Sequence, residues 1–240
     1  MGKKLIDIES IKLENNNFLH YLYAHIDSEV IFFLDKISHV ADIYVFSGVI
    51  RNFFINPKHN IRDLDLVFKT DNIKAVKQIV NLFNFSINSF GGFKININGL
   101  HIDFWNIEDT WAFSKKKSFT VLHKELVLAD SSFFNFSSIV FDLRFQEFIV
   151  TESFVDFLNK KEIDLVLEDN PYPPLCIVNT IYYSDTYQLK ISKRLRRYFI
   201  NHFKNYDSSD FDKVQLKHFK SVIYPYGMLN TYYKIFSDKV

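Results

Sequence analysis

The chain has 240 residues, 48% of them hydrophobic and 18% aromatic, and its 29 basic side chains nearly balance 28 acidic ones. So much apolar content excludes a disordered chain and fills the core of one compact unit or two small ones, while near-neutral charge excludes a surface that attracts nucleic acid as a whole. The single cysteine, Cys176, excludes an internal disulfide and a cysteine-based zinc cluster; apolar runs such as Val30 to Leu34 are too short to span a bilayer, and no secretory segment follows the N-terminal lysines, so a soluble cytoplasmic protein without a membrane partner is expected.

From Phe18 to Ile37, apolar residues recur at a period near 3.6 and predict one amphipathic helix that packs on a sheet. Ile43 to Phe46 is a strand; Ser47-Gly48 is a small-residue turn; Val49 to Phe53 starts a helix. After a polar loop with Pro57, Ile61 to Phe68 alternates as a strand, which turns Asp63 and Asp65 to one side. Asp71 to Phe85 reads as an amphipathic helix with an aspartate near its start for capping. Phe93 to Ile97 and Leu100 to Phe104 form a hairpin on Asn98-Gly99, with His101 and Asp103 sharing a face. The span 105–129 is read as helix and then strand. Phe134 to Leu143 and Phe148 to Val150 are expected strands, Phe154 to Val166 contains a polar turn, and Pro171, Pro173 and Pro174 precede a helical end from Leu175 to Val240. This places a head domain over 1–170 and a helical neck and C-terminal region over 171–240.

Phosphoryl transfer assisted by two metal ions requires converging carboxylates and a turn or cation that grips a triphosphate. Asp63 and Asp65 on one strand face, with Asp103 on the hairpin, offer hard oxygen ligands to magnesium. The Ser47-Gly48 turn ahead of a helix offers backbone N–H groups to phosphate, with Arg51 one turn inside, and Arg62, next to Asp63, is a further candidate for nucleotide binding. A carboxylate pair on a strand is also an ordinary solvent-facing edge, so the combination carries the reading. A second basic patch, KISKRLRRYFINHFK from Lys190 to Lys204, reads as a solvated helix face over a stripe of Ile191, Leu195, Tyr198 and Phe199, with phosphate binding as the other reading.

The segment YVFSGVIRNFFINPKHNIRDLDLVF, Tyr44 to Phe68, resembles the opening motif of the class II CCA-adding enzyme and bacterial poly(A) polymerase head domain: Gly-Gly-x-x-Arg-Asp, a loop, then Asp-x-Asp on a strand. Ser47 and Gly48 stand at the two glycines, Arg51 at the arginine, Asn52 at the aspartate, and Asp63 and Asp65 at the metal-binding pair. Leu100 to Trp105 is similar to the strand with the third carboxylate, and Asp103 falls on it. FNFSSIVFDL (Phe134 to Leu143) looks like the Phe-Thr-Ile-Asn-Ala strand, VDFLNKKEI like the Asp-Leu-x-x-Lys turn, and Pro174 to Tyr183 like the first neck helix. The resemblance implies an α+β fold: a polymerase-beta-like nucleotidyltransferase head, a mixed sheet flanked by helices, followed by a small helical region. It also implies two Mg2+ ions, or Mn2+, on Asp63, Asp65 and Asp103.

At the places where the family reads the incoming base, this chain has Ser132, Phe133, Cys176, Asn179 and Tyr182. Phenylalanine and tyrosine offer chiefly stacking, so any base preference is built differently, and the length leaves no room for the full body and tail that clasp tRNA. CCA addition is therefore not expected. The expectation is a template-independent nucleotidyltransferase using a nucleoside triphosphate, ATP or dATP first, with an RNA, DNA, protein or nucleotide hydroxyl as acceptor. Small proteins resembling this head occur in toxin–antitoxin and anti-phage systems, which implies a partner protein from the same operon. The tyrosine-rich tail, with Tyr232 and Tyr233, is either a protein primer or aromatic packing. A non-catalytic nucleotide-binding regulatory module is the competing expectation, and an interaction scaffold is a third.

Overall fold

The computed structural model describes residues 5–57, 61, 63–88, 91–115 and 123–238, and these divide into two compact units. The first comprises 1–131 and 137–155; the second comprises 132–136 and 156–240.

The first unit opens with three helices, α1 (Ile8–Lys12), α2 (Asn15–Ala24) and α3 (Ser28–Ser38). The single helix expected over 18–37 is thus two: α2 closes at its C-cap His25, and Asp27, in extended backbone, caps α3 by accepting from Val30 N–H at 2.9 Å. Strand β1 (Asp42–Phe46), α4 (Gly48–Ile55) and β2 (Asp63–Lys69) follow as expected. Helix α5 (Ile73–Val80) is shorter than expected and is capped by Asn72 rather than Asp71; the chain turns at Leu82-Phe83 into an edge strand, β3 (Asn84–Ile87), that the helical pattern had absorbed. The hairpin β4 (Phe93–Ile97) and β5 (Leu100–Asn106) turns on Asn98 and Gly99, both left-handed at φ 49° and 88°, the pair a tight primed turn demands. Where helix and then strand were expected, β5 runs on to Asn106 and the described residues beyond it hold only short helical segments, among them α6 (Trp111–Lys115) and α7 (Lys124–Val127). Of the expected strand 134–143 only β6 (Ile139–Asp142) forms, hairpinned to β7 (Glu147–Val150), and α8 (Glu152–Lys160) begins where only a turn was anticipated.

The seven strands lie in the order β3-β4-β5-β2-β1-β6-β7. All neighbours are antiparallel except β2 and β5, which run parallel. On one face Leu64, Leu66, Phe68, Ile102, Phe104, Val45 and Phe141 are buried with Phe18, Phe33, Ile37 and Val76 of the helices. Phe104 meets Phe68 and Phe33 at 4.3 and 5.4 Å between ring centroids. The other face carries a smaller cluster of Tyr44, Val67, Val140, Ile107, Leu128 and Ala129, with Phe46, Trp105 and Phe113 packed against it.

The second unit continues through β8 (Glu162–Ile163), α9 (Pro173–Tyr187), β9 (Lys190–Ile191), α10 (Lys193–Phe203), α11 (Ser208–Phe219) and α12 (Tyr226–Ser237). The helical end is as anticipated, apart from the short parallel β8–β9 pair. Pro173 sits at the first turn of α9, where its missing N–H costs nothing, and Asp207 and Asp210 form a capping box on α11. Ile177, Ile181, Phe199, Phe203, Phe211, Leu229 and Phe236 make the core of this unit. In α10 Leu195, Tyr198 and Phe199 are buried and Lys193, Arg194 and Arg197 are exposed, the solvated basic face over an apolar stripe that the spacing predicts. None of the helices among the described residues is long and apolar enough to cross a membrane.

Candidate active site

Strand alternation places Asp63, Asp65 and Val67 on the face of β2 opposite Leu64 and Leu66. The parallel pairing then sets Asp65 level with Asp103, and Asp63 level with His101, so the three aspartates share one face of two adjacent strands. On the other side of β2, Asp65 is level with Phe46, the last residue of β1. The chain leaves Phe46 into Ser47-Gly48 and α4, and this brings the Gly48 N–H to the Asp65 carboxylate as a donor.

The electrostatics follow from that placement. Burial of the Asp65 carboxyl, then the charges of Asp103 and Asp63, push its pKa up to about 7, against the opposing pull of Arg51 and the Gly48 N–H. Asp63 is exposed and Asp103 has a side chain 37% exposed. Lys94, in register with Asp103 across the hairpin, brings Nζ to 3.7 Å of its Oδ1. Arg51 is buried at 8% exposure, and its guanidinium donates to Asn52 Oδ1 at 3.3 Å. A Cβ built on Gly48 would lie 3.7 Å from Arg51 Nη2, an ordinary contact, so the backbone itself does not require glycine there. Ser47 bears the unusual conformation, with φ 61° and ψ −113°. Arg62, the remaining candidate for nucleotide contact, lies outside the described residues.

Among the described residues no three His, Cys, Asp or Glu side chains converge closely enough to hold a metal ion by themselves. Magnesium does not ask for such a cage: it is ordinarily bound through one or two carboxylates, waters and substrate phosphates. Two level carboxylates, a third on the same face, and a proton affinity of Asp65 raised by burial and then by its acidic neighbours fit a hard dication in that mode. A cavity of about 800 Å3 lies at the opposite end of β1 and β2, lined by Tyr23, Asp35, Asp42, Lys69 and Arg144, and takes no part in this constellation.

Two contacts of the site were not anticipated. Lys94 was recoverable, since a two-residue turn at Asn98-Gly99 sets every hairpin partner and pairs Lys94 with Asp103. Ser137, whose hydroxyl approaches Ser47, is 90 residues from it in the chain, and no local pattern announces the contact.

In the second unit, four of the five positions that the resemblance assigns to base reading are engaged in internal packing, and the fifth, Asn179, has a buried side-chain oxygen with no hydrogen-bond partner among the described residues. Ser132 Oγ donates to the Phe134 carbonyl at 3.1 Å, and Phe133 stands edge-on to Tyr198 at 5.0 Å. Cys176 is buried, which pushes its thiol up to about 12, although a hydrogen bond with Tyr198 opposes the shift. Tyr182 packs on Phe219 at 5.0 Å. In the tail, Tyr232 packs on Phe236, and Tyr233 stacks on Phe203 at 5.2 Å with Lys204 over its ring, so both rings serve the aromatic packing of α10 and α12.

No family model matches the sequence, and a search of curated proteins finds no match. Solved structures do match by fold. A CCA-adding enzyme in complex with CTP superposes with a TM-score of 0.64 at 12% identity, over 92% of this chain and 55% of that one. The Thermotoga maritima CCA-adding enzyme complexed with tRNA gives 0.61 at 13% identity, over 92% and 54%. A tRNA nucleotidyltransferase complexed with a primer tRNA and an incoming ATP analog gives 0.55 at 15% identity, over 82% and 58%. The chain spans little more than half the length of these proteins, and its mixed sheet flanked by helices is the fold of their nucleotidyltransferase heads.

Proposed function

We propose that the protein is a metal-dependent, template-independent nucleotidyltransferase that moves a nucleoside monophosphate, ribo or deoxy, from a nucleoside triphosphate onto a hydroxyl acceptor. The observation that carries this reading is the level placement of Asp65 and Asp103, with Asp63 on the same face, beside the turn that leads into α4. The fold shared with proteins solved with CTP, an ATP analog and tRNA supports a nucleoside triphosphate as donor and RNA as the first acceptor to test.

In this reading Asp63, Asp65 and Asp103 hold magnesium, with manganese as a substitute. When bound, the metal supplies charge neutralisation to the triphosphate. Arg51 and the N–H groups of the Ser47-Gly48 turn grip the phosphates, and Arg62, the residue before Asp63 in the sequence, is assigned to the same task. The acceptor hydroxyl attacks the α-phosphorus; the new oxygen–phosphorus bond forms as the bond to pyrophosphate breaks. ATP or dATP is the preferred donor, the setting is cytoplasmic, and an anti-phage pathway with an operon partner is the biological context that resemblance suggests.

Incubation with each labelled ribo- and deoxynucleoside triphosphate, with Mg2+ or Mn2+ and with or without RNA, tests the proposal. Gel separation and mass spectrometry will find label on RNA, on protein or in a free oligomer, and Asp63→Ala with Asp65→Ala will remove it. Absence of transfer with every metal and acceptor, while nucleotide binding persists, would establish the regulatory binding module instead.

A further inference from the structure

His101 shares a strand face with Asp103, yet the transfer reaction as assigned gives it no task. On β4, Phe93, Ile95 and Ile97 are buried while Lys94 and Asn96 are exposed; on β5, His101 is exposed and Asp103 half-buried between buried neighbours. Register then sets two rows across the sheet. One runs Lys94, Asp103, Asp65, Phe46, and the other, two residues along the strands, runs Asn96, His101, Asp63. The acidic group therefore has different neighbours on its two sides. Towards β1 lie Arg51 and the Ser47-Gly48 turn, already assigned to the triphosphate. Towards β4 lie an ammonium, a carboxamide and an imidazole, and neither Lys94 nor His101 is among the residues matched to the motif.

The hydrogen bonds on the β4 side fix what it can offer. Asn96 Oδ1 accepts the Gly99 N–H at 3.2 Å, so Asn96 Nδ2 is the atom that stands 3.1 Å from His101 Nδ1. An amide nitrogen only donates, so Nδ1 of the neutral ring accepts and the ring proton sits on Nε2. Among the described residues no partner is found for that N–H. The Lys94 ion pair with Asp103 is long, at 3.7 Å, and the lysine side chain is 58% exposed, which leaves ammonium protons for a second anion. Diagonal neighbours on such a hairpin are roughly 7 Å apart, so the two donors can act on one ligand. A protein hydroxyl arriving beside three carboxylates needs no counter-charge. A nucleic acid strand does, because a phosphodiester charge follows directly behind its 3′ hydroxyl. We infer that Lys94 and His101 form the acceptor subsite and hold the phosphodiester behind the 3′ hydroxyl, which makes the acceptor a nucleic acid strand rather than a protein. This inference rests on the nucleotidyltransferase reading and narrows it.

The test is fluorescence anisotropy of the full chain with labelled single-stranded RNA or DNA lacking the 3′ hydroxyl, in magnesium and over a range of salt. Calorimetric titration with ATP and thermal melting accompany it, for wild type, Lys94→Met, Lys94→Arg, His101→Leu and His101→Gln. Loss of one exposed phosphate contact weakens binding about fivefold. Lys94→Met is expected to raise the Kd for the strand by that factor and to lower the slope of log affinity on log salt by about 0.7. His101→Leu should weaken strand binding similarly. Lys94→Arg and His101→Gln, which keep the charge and the outer N–H, should restore it. ATP affinity should not fall in any of the four, a split that a merely structural role does not produce. The strand that the wild type binds more tightly, RNA or DNA, identifies the acceptor. Wild-type strand affinity in Lys94→Met or in His101→Leu, or an equal loss for ATP, overturns the inference and leaves the enzyme reading standing. So does a wild type that binds ATP but neither strand, which gives the acceptor role to a protein or a mononucleotide. Failure of the wild type to bind any nucleoside triphosphate removes both.

Discussion

The two faces of strand β2 obey opposite rules. Leu64, Leu66 and Phe68 are wholly buried against helices and rings, and every atom on that side lowers the free energy of the folded chain. On the reverse face Asp63 and Asp65 join Asp103 in a group whose charges repel, and burial holds Asp65 near pKa 7. One seven-residue strand therefore has a wholly apolar side and a side on which two mutually repelling aspartates precede the buried Val67. Residues retained against stability are where function is to be sought.

That contrast can be broken by substitution. On the apolar face, Phe104→Ala empties a fully buried ring position and should destabilise the chain by ~3–5 kcal/mol in denaturant unfolding. On the acidic face, Asp65→Asn should do the reverse at pH 8, stabilising by roughly 1–3 kcal/mol once solvent screening is allowed for, while abolishing nucleotide transfer. The pH sign follows from the raised folded-state pKa: the folded protein holds the Asp65 proton more tightly than the unfolded chain, so the contribution of this group to stability falls between about pH 4 and 7 and is flat above. The gain from Asp65→Asn should accordingly vanish near pH 4, and melting curves at pH 4, 6 and 8 check it. A variant no more stable than wild type at pH 8 would dissolve the contrast.

Gly92→Ala should have a smaller effect. An added Cβ would meet Trp105 Cε3 at 2.5 Å, so the indole, two residues beyond Asp103, must move, at a cost of ~1–3 kcal/mol in stability. Gly48→Ala is the mildest: the new methyl makes only an ordinary contact with Arg51, so the melting temperature should barely change, and a fall in ATP affinity would isolate the part of the turn that needs close phosphate approach.

Period and turn chemistry made much of this legible in advance. Alternation on β2 put Asp63 and Asp65 on one side, and Asn98-Gly99 fixed the hairpin that carries Asp103. Parity cannot say which strands are neighbours, however, so the level placement of Asp65 and Asp103 is a fact of topology, set by the crossover through α5, β3 and β4. Where local reading failed, short-range competition was the cause. The chain closed one helix at His25 and began another at the Asp27 cap inside a continuous apolar period, and Asn84 and Phe85 left the helical pattern to join the strand that pairs with β4. In α8, Phe154, Val155 and Phe157 are buried, but the stretch is brief and ends in Lys160 and Lys161, which masked it as a turn.

The parallel junction of β2 and β5 also has a bearing on how the molecule assembles. Such a junction closes only after the intervening chain has been laid down as helix and hairpin, and distant closures of this kind come late because they are entropically expensive. The hairpin bearing Asp103 and the strand bearing Asp65 can each mature alone without mutual repulsion. The acidic and the apolar faces of that junction are made by one and the same pairing, so the repulsion of Asp65 and Asp103 is met at once by the burial of Leu66 and Phe104.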